Sequence, residues 1–146
     1  MTRFLTSLVL LLPLFACAVS EQQLAEFSVV PLQIGTQHIQ VQLADTDEKR
    51  AQGLMFQQTA EPGMFLLYPK PRAISLWMAN TALALDVAYI GPDWSIVQLV
   101  QLDPYDETPV PSPGAIIAAL EMPRGWFAKH GVMLGHKVRF NPNPNP

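Results

Sequence analysis

Two acids fall inside apolar runs of this chain, Asp86 in "ALDVAYI" and Glu121 in "AIIAALEM". Apolar surroundings raise a carboxyl pKa unless a cation or amide N–H groups hold the charged form. Two such groups facing one cleft, about 5–10 Å apart, would make the general acid and base of glycoside cleavage. The protein would then be a hydrolase or lyase acting on a cell-wall or polysaccharide substrate. Each acid also has a structural alternative. Arg50 and Arg72 are candidate partners for a buried ion pair with Asp86, and Arg124 is close enough in sequence to pair with Glu121. Linear spacing leaves both alternatives open.

A second group of candidates lies in "WMANTALALD", Trp77 to Asp86. Asn80 and Thr81 are residue types that bond to nearby backbone and so make turns. Beside Trp77 they could instead give an aromatic platform with an amide and a hydroxyl, suited to a sugar or peptide fragment. Arg50, Arg72 and Trp126 are further ligand-binding candidates. Trp126 has the alternative of packing a helix down, and Trp94 that of occupying a hairpin tip.

Other chemistries find no pattern. His38, His130 and His136 lack metal-ligand spacing. Met55, Met64, Met78, Met122 and Met133 are scattered without a Met-x-x-Met cluster, the distribution of core residues instead of a copper site. Ser75, Ser95 and Ser112 lack a "GxSxG" frame, and there is no glycine-rich phosphate loop. No metal or cofactor is expected.

The elements that must position these residues are mostly strands. "HIQVQLA" alternates, with Ile39, Val41 and Leu43 on one face, and "VVPLQIG" before it makes a partner. "MFLLY" and "AISLWM" are short apolar strands. "LDVAYI" and "SIVQLVQL" flank the turn "GPDW" and form a hairpin, with Asp86 opposite in face to Leu85, Val87 and Tyr89. "AIIAALEM" and "HKVRF" follow. Two short helices interrupt the strands. "DTDEKRAQG" has Asp45 as cap, Glu48 three places on and Gly53 at the exit, and "MPRGWFAKHG" runs from Pro123 to Gly131. "LDPYDETPVPSPG", Leu102 to Gly114, is a proline-stiffened acidic excursion over one end of the sheet. The expected fold is mainly β, a compact single-domain barrel or sandwich with two short helical insertions.

The N-terminus reads as an export signal over residues 1–18, with Arg3, an apolar run and small residues at Ala16 and Ala18. "LFAC" also resembles a lipobox, which makes Cys17 a lipidation candidate. Cys17 is the single cysteine among 146 residues, so the mature domain has no internal disulfide. A tether over 19–26, a β domain over 27–140 and a tail, "NPNPNP", over 141–146 complete the organisation. The expected location is the periplasm, or the bacterial envelope through lipidated Cys17. The formal charge is −3, and no basic cluster exists to offset phosphate repulsion, which excludes nucleic acid as a partner.

"VQLADTDEKRAQGLMF", "GMFLLY", "WMANTALALDVAYI" and "PSPGAIIAALEMPRGWFAKHGVMLGHKV" together resemble the exported bacterial proteins grouped as domain of unknown function 192, or uncharacterised protein family 0127. The resemblance covers residues 28 to 140. It implies a small, mainly β fold and no assigned activity. Carried onto this chain, its signature residues are Arg50, Gly53, Leu54, Met55, Gly63, Trp77, Met78, Asn80, Thr81, Asp86 and Glu121. Ala79 stands where many relatives have Lys, and His136 where many have an acid. The pairing of Arg50 with Asp86 would rivet the first helix across the sheet, with Leu54 and Phe56 packed beneath. The reading that results is a non-enzymatic envelope module that binds a small molecule, glycan or envelope protein, with a structural or assembly factor as a further alternative.

Overall fold

The computed structural model describes residues 24–141. The expected export signal, Cys17, most of the expected tether and nearly all of the expected tail lie outside the described residues. Strands β1 (Ser28–Ile34) and β2 (Gln37–Ala44) lead into helix α1 (Asp47–Gln52). Next come β3 (Met64–Arg72), β4 (Ser75–Leu76), β5 (Leu85–Ile90), β6 (Ile96–Leu102), β7 (Val110–Pro111) and β8 (Ile116–Pro123). Helix α2 (Trp126–Lys129) and strand β9 (Val138–Phe140) end the domain.

Seven strands form one sheet in the order β6-β5-β8-β3-β2-β1-β9, and β4 and β7 form a separate pair. Only the β2–β3 neighbours run parallel within it, since α1 and the loop after it carry the chain across. The sheet curls into a half-barrel. Its two edges meet at one end, where Ser95 bridges Lys137 and the Val138 N–H donates to the Trp94 carbonyl at 2.8 Å. The expected mainly β domain with two helical insertions is therefore present, nearer a barrel than a sandwich.

Alternation along the strands gives the sheet two buried faces. The concave face gathers side chains from every strand of the sheet, among them Ile34, Val41, Phe65, Ile90, Ile96, Leu120 and Val138. Trp126, Phe127 and Val132 plug it from α2 and the turn beyond. The convex face, over β3, β5 and β8, carries Met64, Leu66, Leu85, Val87, Tyr89 and Ala119. Leu54, Leu76 and Met78 cover that second core, and the Tyr89 hydroxyl fastens the cover by donating to the Val110 carbonyl at 2.7 Å.

Several local expectations are corrected. Helix α1 is capped by Thr46, whose Oγ1 accepts from the Lys49 N–H at 3.3 Å. Asp45, expected there, lies 3.8 Å from Lys49 Nζ instead. Helix α2 does not begin at Pro123, because that residue still pairs with Leu85 as the last of β8. The chain then turns through Gly125 at φ 84° and only afterwards becomes helical. "AISLWM" keeps only two residues as strand, and its partner β7 arises within the acidic excursion. Gly53 does close α1, at φ 51°. Gly63 precedes β3 at φ 99°, where a Cβ would run into Met122 Sδ. The end of the expected tether is docked, its Ala25 N–H donating to Gln52 Oε1 at 2.6 Å.

Candidate functional site

A cleft of about 510 Å³ opens on the convex face, beneath the β4–β7 pair. That is within the roughly 300–1,000 Å³ range of small-molecule sites. Arg50, Gly53 and Leu54 form one wall, from α1 and its exit. Leu66, Tyr68 and Arg72 come from β3, and Leu76, Trp77, Met78 and Ser112 from the cover. Glu121 lies among them on the sheet.

Glu121 owes its place to register. Its strand neighbours are Met64 on β3 and Val87 on β5, both convex-face residues. The residue is 7% exposed, and its Oε2 is buried without a hydrogen-bond partner. Burial pushes its carboxyl up to about 7, since no cation or amide offsets the lost hydration. Oε2 points toward the α1 exit, 3.9 Å from where a Cβ on Gly53 would sit.

Arg50 reaches over the edge of β3. One guanidinium nitrogen donates to the Leu67 carbonyl at 2.6 Å and the other to Asp47 Oδ1 at 2.6 Å. Its guanidinium carbon is 5.0 Å from the centre of the Tyr68 ring, and that of Arg72 is 6.0 Å from the same ring. Such distances give cation–π attraction. Desolvation is the main influence on Tyr68 and raises its hydroxyl pKa, so the phenol stays protonated.

Asp86 lies elsewhere. It pairs with Met122, a concave-face residue, and so points away from Glu121. Its Oδ2 accepts from the Gly125 N–H at 2.7 Å and its Oδ1 from Gln101 Nε2 at 3.1 Å. Arg124 Nε is 3.8 Å from Oδ1. The expected partners Arg50 and Arg72 are on the other side of the sheet. The rivet is real, but it holds β5 to β6 and to the β8–α2 turn. Arg124, expected beside Glu121, donates to the Leu102 carbonyl at 2.7 Å and pairs with Asp103 at 2.8 Å. The two carboxylates thus share no cleft, and paired acid–base catalysis by Asp86 and Glu121 has no geometric basis.

Trp77 is half exposed at the cleft wall, as a platform would require. Thr81 lines the cleft but is buried, its hydroxyl donating to the Ala79 carbonyl at 3.0 Å. Asn80 is a turn residue at φ 52°, and its carbonyl accepts from the Phe56 N–H at 3.0 Å. The same turn binds the acidic excursion through Met78 N–H to the Asp106 carbonyl, 2.8 Å, and Tyr105 N–H to the Thr81 carbonyl, 3.0 Å. "WMANT" is therefore a splice joining three segments at the edge of the cleft. Trp126 is not a platform. It is buried on the concave side, against Phe127 and stacked at 4.2 Å on His130. Phe56, expected under α1, is 49% exposed, because φ 64° turns it outward. Among the described residues no group of three His, Cys, Asp or Glu could hold a metal ion.

Tyr68 and Ser112 were missed as cleft residues. For Tyr68 a signal existed, since Met64, Leu66 and Tyr68 alternate onto the face that carries Glu121. Ser112 gave none. Its hydroxyl accepts from the Ile74 N–H at 3.1 Å, a contact set only by the β4–β7 pairing.

The chain belongs to the DUF192 family, described as "Uncharacterized ACR", whose model matches residues 30–140. Two solved structures share the fold. One is a Sinorhizobium meliloti 1021 protein provisionally named a transcription regulator, 26% identical, with a TM-score of 0.75. The match covers 80% of this chain and 96% of that one. The other is a protein of unknown function from Novosphingobium aromaticivorans DSM 12444, 31% identical, with a TM-score of 0.71. It covers 80% of this chain and 94% of that one. No curated protein matches the sequence.

Proposed function

We propose that this member of the DUF192 family is a binding module that takes a small organic molecule into the convex-face cleft. One observation carries the reading. Glu121 Oε2 is buried and unpartnered in a cleft lined mainly by apolar and aromatic side chains, with two arginines and a few polar groups at its walls. An unmet buried polar atom is costly, and a ligand hydrogen bond would remove that cost. The apolar walls from Leu66, Leu76 and Met78 supply affinity, and the carboxyl group fixes orientation. The N-terminal apolar segment with its lipobox-like "LFAC" supports placing this module at the bacterial envelope, anchored through Cys17.

The test uses N-phenyl-1-naphthylamine, a neutral aromatic probe that fluoresces in apolar sites. The dye is expected to bind saturably at one site. Ser75→Trp, which places a large ring on the cleft wall from an exposed strand position, is expected to abolish it. Saturable binding that survives Ser75→Trp, or no binding to the wild type, overturns the proposal.

A further inference from the structure

We infer that the ligand class is a small amphipathic organic anion, its apolar body in the cleft and its anionic group held by Arg72 and Lys70 in an adjoining hollow. The inference rests on the cleft being the binding site and adds the chemistry of the ligand. The hollow, about 570 Å³, is lined by Pro69, Lys70 and Pro71 together with Asp47, Arg50, Arg72 and Ala73. The last four also line the cleft, so the two spaces share a wall. The ligand would lie across the exposed Arg72 side chain, which borders both.

The charges favour an anion there. Among the described residues no carboxylate pairs with Lys70 or Arg72, whereas Asp47 is already bound to Arg50 at 2.6 Å. Both free cations sit at the end of β3, with Lys70 between two prolines that fix φ and restrict the residue before each. Arg72 is further held over Tyr68. A guanidinium held over a ring loses less entropy on binding than a free one, and it suits the two oxygens of a carboxylate or sulfonate. Glu121, the one buried acid lining the cleft, is kept protonated by its burial up to about neutral pH. It then donates a hydrogen bond and does not repel an anion.

A matched pair of probes tests this on the full chain. 8-Anilinonaphthalene-1-sulfonate has the same aromatic body as N-phenyl-1-naphthylamine plus one anionic group. The sulfonate is expected to bind about tenfold more tightly at low salt, and added salt should shrink the difference. In a Lys70→Gln/Arg72→Gln double variant the sulfonate preference should collapse, the two dyes binding within about twofold of each other. Both residues are exposed, and an unaltered melting curve will show that the variant is folded. Equal wild-type affinities, or a sulfonate preference that persists in the double variant, overturn the inference while leaving the cleft reading intact. Failure of the sulfonate alone to bind overturns the inference only, and failure of the neutral dye to bind at the Ser75 wall overturns both.

Discussion

Asp86 and Glu121 stand one register step apart on neighbouring strands, equally buried, and face opposite sides of the sheet. The first is saturated, by an amide side chain, a backbone N–H and a nearby guanidinium. The second has an oxygen with nothing bound to it. Identical burial thus leaves one carboxylate fully hydrogen-bonded and the other with an oxygen unmet.

Asp86→Ala is expected to destabilise the fold by about 2–4 kcal/mol, since it strands the Gly125 N–H and loosens Arg124. Dye affinity in the convex cleft should change by less than about twofold, because Asp86 does not line it. Urea unfolding and dye titration on the same sample check both halves.

Glu121 makes stability depend on pH in the sense opposite to an ion-paired acid. Its carboxyl is raised from 4.5 to about 7 in the folded state. Between those values the folded chain holds a proton that the unfolded chain releases. Stability should therefore fall as pH rises through this window, by about 3 kcal/mol in total. Glu121→Gln removes the titration. Unfolding curves at pH 5 and pH 8 should show its contribution to the slope gone and the variant more stable than wild type at pH 8.

Arg50→Lys should not behave as a conservative change. A lysine cannot keep both 2.6 Å bonds, to the Leu67 carbonyl and to Asp47, in the planar fork that Arg50 uses. The expected loss is about 1–3 kcal/mol, read by urea unfolding, with weaker packing of α1 visible as faster amide exchange in Asp47–Gln52.

Asn80→Ala should cost about 1–2 kcal/mol, because alanine tolerates φ 52° poorly. Asn80→Gly should cost little, since glycine adopts that conformation freely. Equal losses in the two variants would show that the Asn80 side chain, and not its backbone angle, matters.

Much of this molecule was written in the period of its residues. Alternation in "HIQVQLA" and "LDVAYI" assigns each side chain its face, and sheet pairing has only to bring the faces together. The hairpin at "GPDW", the exit at Gly53 and the family motifs were legible for the same reason: they depend on neighbours a few positions away. The partners of the two acids were not. Gln101 and Gly125 lie 15 and 39 positions from Asp86, and which arginine approaches it depends on where β8 ends and α2 begins. The cleft is further still from local rules. It exists because the β4–β7 pair, the "WMANT" turn and the exit of α1 close over the convex face without giving Glu121 Oε2 a hydrogen bond. Residue order chose which side of the sheet each acid would face, but only the assembled sheet decided which would be satisfied, because hydrogen-bond donors reach a buried carboxylate from distant segments or not at all.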